Sequence, residues 1–161
     1  FMSPSKAFNM PGLTASHALI FNPKLRRKFH TYLESSELDL GHVFAFLAVE
    51  AAYSHGTAWL DQCLAYIQGN IDYVDEFTKQ HTPKIKVIRP QASFLIWLDC
   101  REMGLSQDAL NDFFVDKAHL ALNNGVAFGE EGEGFMRLNV ASPRSVLEQA
   151  MKQLADAYVK L

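Results

Sequence analysis

Apolar positions along this chain follow two rhythms, and the change between them falls near Pro83. From Thr57 to Gln80 apolar residues recur every three or four positions, at Leu60, Leu64, Ile67, Ile71, Val74 and Phe77, which is the period of one helix face. The helix this predicts is about six turns or more long, with Thr57 placed to cap it and Gly69 as an interior weak point. After Pro83 the texture becomes β-rich: "KIKVIRP" and "SFLIWLD" read as strands separated by a short polar turn. Ser106 caps a short helix, "SQDALNDFFVDKAH", and "FMRLNVA" (Phe135 to Ala141) is the next strand. The last segment, "SPRSVLEQAMKQLADAYVKL", is an amphipathic helix with Ser142 as N-cap and Pro143 at its first position. Leu147, Ala150, Met151, Leu154 and Tyr158 share one of its faces.

Ahead of Thr57 the pattern is different. "HALIFN" (His17 to Asn22) reads as a short strand, followed by a helix over "NPKLRRKFHTYLESS" with Asn22 as N-cap and Pro23 at its first position. The helix "HVFAFLAVEAAYSHG" is apolar around most of its circumference and ends at Gly56, so it is expected to be buried or to lie in a subunit interface. The fold class this implies is α/β, becoming α+β in the C-terminal part, where strands carry helices packed on one side. No internal repeat is present.

Composition narrows the function classes. The 161 residues are 48% apolar and 20% charged, the balance of a globular chain large enough for one domain or pieces of two. Net charge is −3, and the one basic cluster, Lys24, Arg26, Arg27 and Lys28, reads as a solvated helix face, so no nucleic-acid partner is expected. No apolar run approaches the roughly 20 residues that span a bilayer, and no membrane partner is expected. Cys63 and Cys100 lie in apolar surroundings without metal or redox spacing, which predicts reduced core thiols and a cytoplasmic location. Because the chain opens on Phe1, it is expected to be the C-terminal part of a longer protein.

Four features carry candidate chemistry. The histidines, His17, His30, His42, His55, His81 and His119, include no i, i+4 pair with an acidic partner, so no metal site is expected. "GEEGEGF" (Gly129 to Phe135) is acidic and runs into a strand, unlike a phosphate loop that opens a helix, and is expected to be a flexible surface loop. Within "FMRLNVA" strand alternation puts Met136, Leu138 and Val140 on one face and Arg137, Asn139 and Ala141 on the other. Arg137 is then either solvated or aimed into a cleft, where its planar fork grips a carboxylate. Lys6, in "SPSKAFNMPG", is either a solvated charge or a buried amine made nucleophilic by a lowered pKa.

Taken together, "SPSKAFNMPGL", "AVEAAYSHGTAWLDQCLAYIQGNIDYV", "PQASFLIWLDCREMGLS" and "NNGVAFGEEGEGFMRLNVASPRSVLEQAM" resemble the C-terminal half of a pyridoxal-phosphate enzyme of the class I/II aminotransferase superfamily. The resemblance is to its cystathionine beta-lyase-like, carbon–sulfur lyase branch, and the order and spacing of four blocks make it specific. It implies that residues 1–56 are the end of a large cofactor domain. Residues 57–161 would be a linking helix and a small domain with a short antiparallel or mixed sheet and helices on one side. By the same resemblance Lys6 forms the Schiff base with pyridoxal 5'-phosphate, Ser3 helps to hold its phosphate, and Ser5 is a weaker cofactor contact that shapes the loop. Arg137 binds the substrate α-carboxylate, and Asn139 is a local support. Aminotransferases proper often carry a further phosphate-binding arginine after the lysine, which "AFNMPGLTAS" lacks. The expected activity of the full-length enzyme, a homodimer, is a carbon–sulfur β-lyase giving pyruvate, ammonia and a thiol, the isolated chain being inactive. An aminotransferase is the alternative within the family, and a non-catalytic regulatory or interaction domain the alternative outside it.

Overall fold

Strand pairing begins where the sequence changes rhythm. The computed structural model describes residues 1–38 and 40–161. Four strands, β1 (Lys86–Ile88), β2 (Leu95–Asp99), β3 (Asn123–Asn124) and β4 (Phe135–Asn139), form one sheet in the order β1-β2-β4-β3. Every pairing is antiparallel, which decides between the antiparallel and mixed sheets that the sequence left open. Alternation works as expected: Met136, Leu138 and Val140 are buried, as are Ile96 and Leu98 on β2. Burying each such side chain contributes about 1.5–3 kcal/mol.

These residues join one core with Ile71 and Val74 from α3 (Thr57–His81), Leu110 from α4 (Gln107–Asp112), and Leu147, Met151 and Leu154 from α5 (Arg144–Tyr158). Ser106 caps α4, its Oγ accepting from the Ala109 N–H at 3.3 Å. The helix predicted through His119 changes pitch at Phe113–Lys117, a π-helical turn closed by the Ala118 N–H on the Phe113 carbonyl at 2.9 Å. Phe113 and Phe114 are both buried in that wider turn.

Two caps differ from expectation. The Pro143 backbone is extended, at ψ 140°, and its carbonyl accepts from Val146 and Leu147, so Pro143 is the N-cap of α5 and Ser142 lies outside it. Thr57 is already helical, because the first acceptor of α3 is the Gly56 carbonyl, bonded by the Leu60 N–H at 2.9 Å. Fully buried Asn70 ties α3 to the end of β4. Its Nδ2 donates to the Val140 and Ser142 carbonyls at 2.8 and 3.0 Å, and its Oδ1 accepts from Arg144 Nε at 2.8 Å.

Internal contacts divide the chain into two compact units, Phe1–Leu64 and Ala65–Leu161, the division falling inside α3. The first holds α1 (Pro23–Ser35) and α2 (Val43–His55). Asn22 caps α1 as predicted, accepting from the Lys24 and Leu25 N–H groups at 3.0 and 3.2 Å, with Pro23 first in the helix. The strand expected at His17 to Asn22 is absent: only His17 pairs, in an isolated bridge with Met2. An extended segment becomes a strand only where a neighbour supplies the rest of the ladder. Nor is α2 buried within its unit. Ala45 is its one buried residue, while Val43, Phe44, Phe46, Leu47 and Tyr53 are exposed.

Candidate functional site

Lys6 stands in a loop whose geometry its neighbours fix. Reciprocal hydrogen bonds of 2.8 Å between the backbones of Met2 and His17 tie the base of the loop. Around the lysine, the Phe8 N–H donates to the Pro4 carbonyl at 2.9 Å and the Met10 N–H to the Ser5 carbonyl at 2.8 Å. Asn9 turns the chain in the left-handed region at φ 50°, which its short polar side chain tolerates. Two residues beyond Lys6, the Phe8 ring packs edge-on to Tyr53 at 5.8 Å and stacks near Trp59 at 6.3 Å. Gly56 makes room for it, since a Cβ there would come within 2.6 Å of that ring and 2.4 Å of the Ala52 carbonyl. Phe8 was not singled out in the sequence, although it lies within the block that carries Lys6, and Gly56 was read there only as the end of a helix.

The serines form a small network beside the lysine. Ser3 Oγ donates to the Ala15 carbonyl at 2.6 Å, which uses its one proton, so the 2.8 Å contact between Ser3 Oγ and Ser5 Oγ has Ser5 as donor. Ser3 Oγ also accepts from the Ser5 N–H at 3.3 Å. Lys6 itself is exposed, so the buried-amine alternative does not describe it within this chain. Short turn hydrogen bonds keep residue 6 at the outside of the loop, where its side chain is solvated.

Arg137 belongs to the second unit, at the centre of a row of directly opposed residues that crosses the whole sheet: Ile88, Trp97, Arg137 and Asn123. It is neither freely solvated nor swung into an open cleft. Half-buried, it donates from Nη2 to Asn123 Oδ1 at 2.9 Å, and its Cζ lies 4.2 Å from the centre of the Phe128 ring. Trp97 meets both Phe128 and Phe135 edge-to-face, at 5.5 and 6.0 Å. Phe135 in turn carries the Arg101 guanidinium at 4.8 Å. Two hydrogen bonds from the Arg101 side chain, of 2.9 and 2.7 Å, hold the Asp99 carboxyl below the ordinary carboxylate value. A cavity of about 290 Å³ on this face is lined by Ile88, Trp97, Phe128, Glu131, Gly132 and Phe135.

One atom of the row is left over. Among the described residues Arg137 Nε is buried and has no hydrogen-bond partner. Asn139 supports its own turn, its Oδ1 accepting from the Ala141 N–H at 2.9 Å.

The segment expected to be a flexible loop is built. Two 3-10 turns, Gly125–Phe128 and Glu130–Gly132, bring Gly125 and Gly132 together so closely that a Cβ on either would lie 2.1 Å from the other's carbonyl oxygen. Asn124 Oδ1 accepts from the Val126 N–H at 3.2 Å and from Gln107 Nε2 at 2.7 Å, and Gln107 Oε1 accepts from the Gly134 N–H at 2.6 Å. The acidic side chains Glu130, Glu131 and Glu133 remain at the surface. Among the described residues no cluster of three or more His, Cys, Asp or Glu could hold a metal ion, and no helix is long and apolar enough to cross a membrane.

No family model matches the chain. It is 39% identical over 155 residues to cystathionine beta-lyase PatB of Bacillus subtilis, covering 96% of this chain and 40% of that protein. It is 35% identical over 156 residues to protein MalY of Escherichia coli, with 96% and 40% covered. Among solved structures, cystalysin from Treponema denticola, which contains a pyridoxal 5'-phosphate cofactor, matches with a TM-score of 0.90 at 31% identity, over 98% of this chain and 40% of that one. The chain therefore spans about 40% of the length of the curated relatives it matches.

Proposed function

From the premise that this chain belongs to the pyridoxal-phosphate-dependent, aminotransferase-like family, in its carbon–sulfur lyase branch, we propose that the whole protein is a β-lyase of cysteine-type amino acids. Its products are pyruvate, ammonia and a thiol. The observation that carries this reading is the likeness to carbon–sulfur lyases along almost the entire chain. The donor set at the first loop fits the cofactor: an exposed primary amine at Lys6 suits an aldehyde, and two hydroxyls within three residues suit a phosphate. When bound, pyridoxal phosphate supplies an electron sink for the carbanion at the substrate α-carbon.

Lys6 Nζ would hold the cofactor at rest and, as a free amine, would move the substrate α-proton. The Ser5 hydroxyl can turn from Ser3 to a phosphate oxygen without loosening the tie to Ala15, whereas Ser3 must give up that tie to donate. Both serines are kept as cofactor contacts in this reading. The Arg137 guanidinium fixes the substrate carboxylate, so that the amine arrives in a reactive pose.

The reading extends to the rest of the chain. Residues 1–56 are the end of the cofactor domain, and residues 57–161 the linking helix and small domain. The chain by itself turns over nothing, since it spans about 40% of its relatives' length. A homodimer is supported by the exposed apolar side chains of α2, and a cytoplasmic location by the free thiols Cys63 and Cys100.

Incubation of the full-length protein with L-cystathionine and no keto acid tests the reaction. Pyruvate and ammonia in equal amounts are expected, whereas a keto product that appears only with an added keto-acid acceptor would make it an aminotransferase. Borohydride reduction followed by peptide mapping should recover the cofactor on Lys6. A label on another lysine, or none at all, would remove Lys6 from the role.

A further inference from the structure

We propose that Asn123 and Phe128 are positioning residues that set the plane of the Arg137 guanidinium before a substrate carboxylate arrives; the inference rests on the reading of Arg137 given above. A free arginine samples many rotamers and must be ordered when a carboxylate binds, so affinity rises if the protein has already done the ordering. Two contacts of different kinds do this here. Asn123 Oδ1 accepts from Nη2 at 2.9 Å and fixes one corner of the fork, while the Phe128 ring lies 4.2 Å from Cζ and supports its face.

Neither partner is free to wander. Asn123 is opposed to Arg137 in the sheet register. Phe128 ends a 3-10 turn whose first residue, Gly125, is pressed against Gly132 backbone to backbone, and its ring is braced edge-on by Trp97 at 5.5 Å. Trp97 sits opposite Arg137 on β2, so the brace and the arginine share one register row. An arginine serving stability alone would be expected to have its buried donors paired, and among the described residues Nε has no partner.

The test uses full-length holoenzyme, with two probes: KM for L-cystathionine, and the Kd of 3-mercaptopropionate by titration calorimetry. The second probe has a carboxylate and no amine, so it reports the carboxylate grip without turnover. Asn123→Ala and Phe128→Leu should each raise KM and Kd by about fivefold or more, with kcat within about twofold. The conservative variants Asn123→Gln and Phe128→Tyr keep a neutral amide acceptor and the ring, and should restore both values to within about twofold. In an Arg137→Ala background the same substitutions should add nothing, because the group they orient is gone.

Two failures are distinguishable. If Arg137→Ala leaves KM and Kd unchanged, the carboxylate role of Arg137 is wrong and the positioning proposal falls with it. If Arg137→Ala raises both while Asn123→Ala and Phe128→Leu leave them unchanged, or add their effects in full to that of Arg137→Ala, only the positioning proposal is overturned. Should Phe128→Leu not fold, Asn123→Ala and its glutamine rescue decide the matter.

Discussion

Phe46 and Phe114 are the same side chain on helical turns of the two units, yet Phe46 is 63% exposed and Phe114 0%. The contrast holds for the units as wholes. In Ala65–Leu161 the apolar residues of α3, β2, β4 and α5 converge on one core. In Phe1–Leu64 the buried residues among those described are Pro4 and Ala45, and the apolar side chains of α2 lie open. A helix with an apolar stripe can complete itself against a sheet within its own unit. A helix that is apolar on most sides needs cover on most sides, and the first unit does not hold enough chain to give it.

Truncating the two phenylalanines gives the sharpest version of this contrast. In the 161-residue chain, Phe114→Ala should cost about 3–5 kcal/mol, read as a lower urea midpoint. Phe46→Ala should stay within about 0.5 kcal/mol. Equal costs would break the comparison. A large cost for Phe46→Ala that appears only in the full-length protein would sharpen it, by showing that another surface covers α2.

The cysteines offer a second comparison, one in each unit. Burial, with a smaller contribution from the Asp99 charge, pushes the Cys100 thiol up to about 12, whereas Cys63 is only half-buried. Since the thiolate is the reactive form, iodoacetamide at pH 8 should label Cys63 about a hundredfold or more faster than Cys100 in the folded chain. Urea should abolish the difference. Comparable rates without urea would mean that the core of the second unit opens readily.

The smallest effect concerns acid. Among the described residues, every ion pair lies in the second unit. Burial works against ionisation of Asp75, but hydrogen bonds from Lys79 and Arg89 outweigh it and hold its carboxyl below the ordinary value; Arg101 does the same for Asp99. Both folded values lie below the unfolded carboxylate value of about 3.9. Their contribution is therefore present above about pH 4 and is lost as pH falls through the folded values. Because Lys79 and Arg101 are largely exposed, each pair contributes about 1 kcal/mol or less. The urea midpoint should fall modestly between pH 5 and pH 3, and Arg89→Ala should flatten part of that slope. No flattening would remove the Asp75 pair from the account.

Local rules made much of this molecule legible from its residues. The period of α3 and α5, the Asn22 and Ser106 caps, and the face alternation of β4 each follow from side chains within a few positions of one another. The four blocks also carried the family and pointed to Ser3, Ser5, Lys6 and Arg137. Tertiary structure decided whatever depends on a distant partner. His17 to Asn22 has strand composition but only Met2 to pair with. "GEEGEGF" has loop composition, but Gly132 meets Gly125 and the turns close. Arg137 was open between solvent and cleft because its immediate neighbours do not touch the guanidinium; Asn123, fourteen residues away, and Phe128 do. Spacing within a segment fixes which face a side chain takes, and only the register between segments fixes what it meets there.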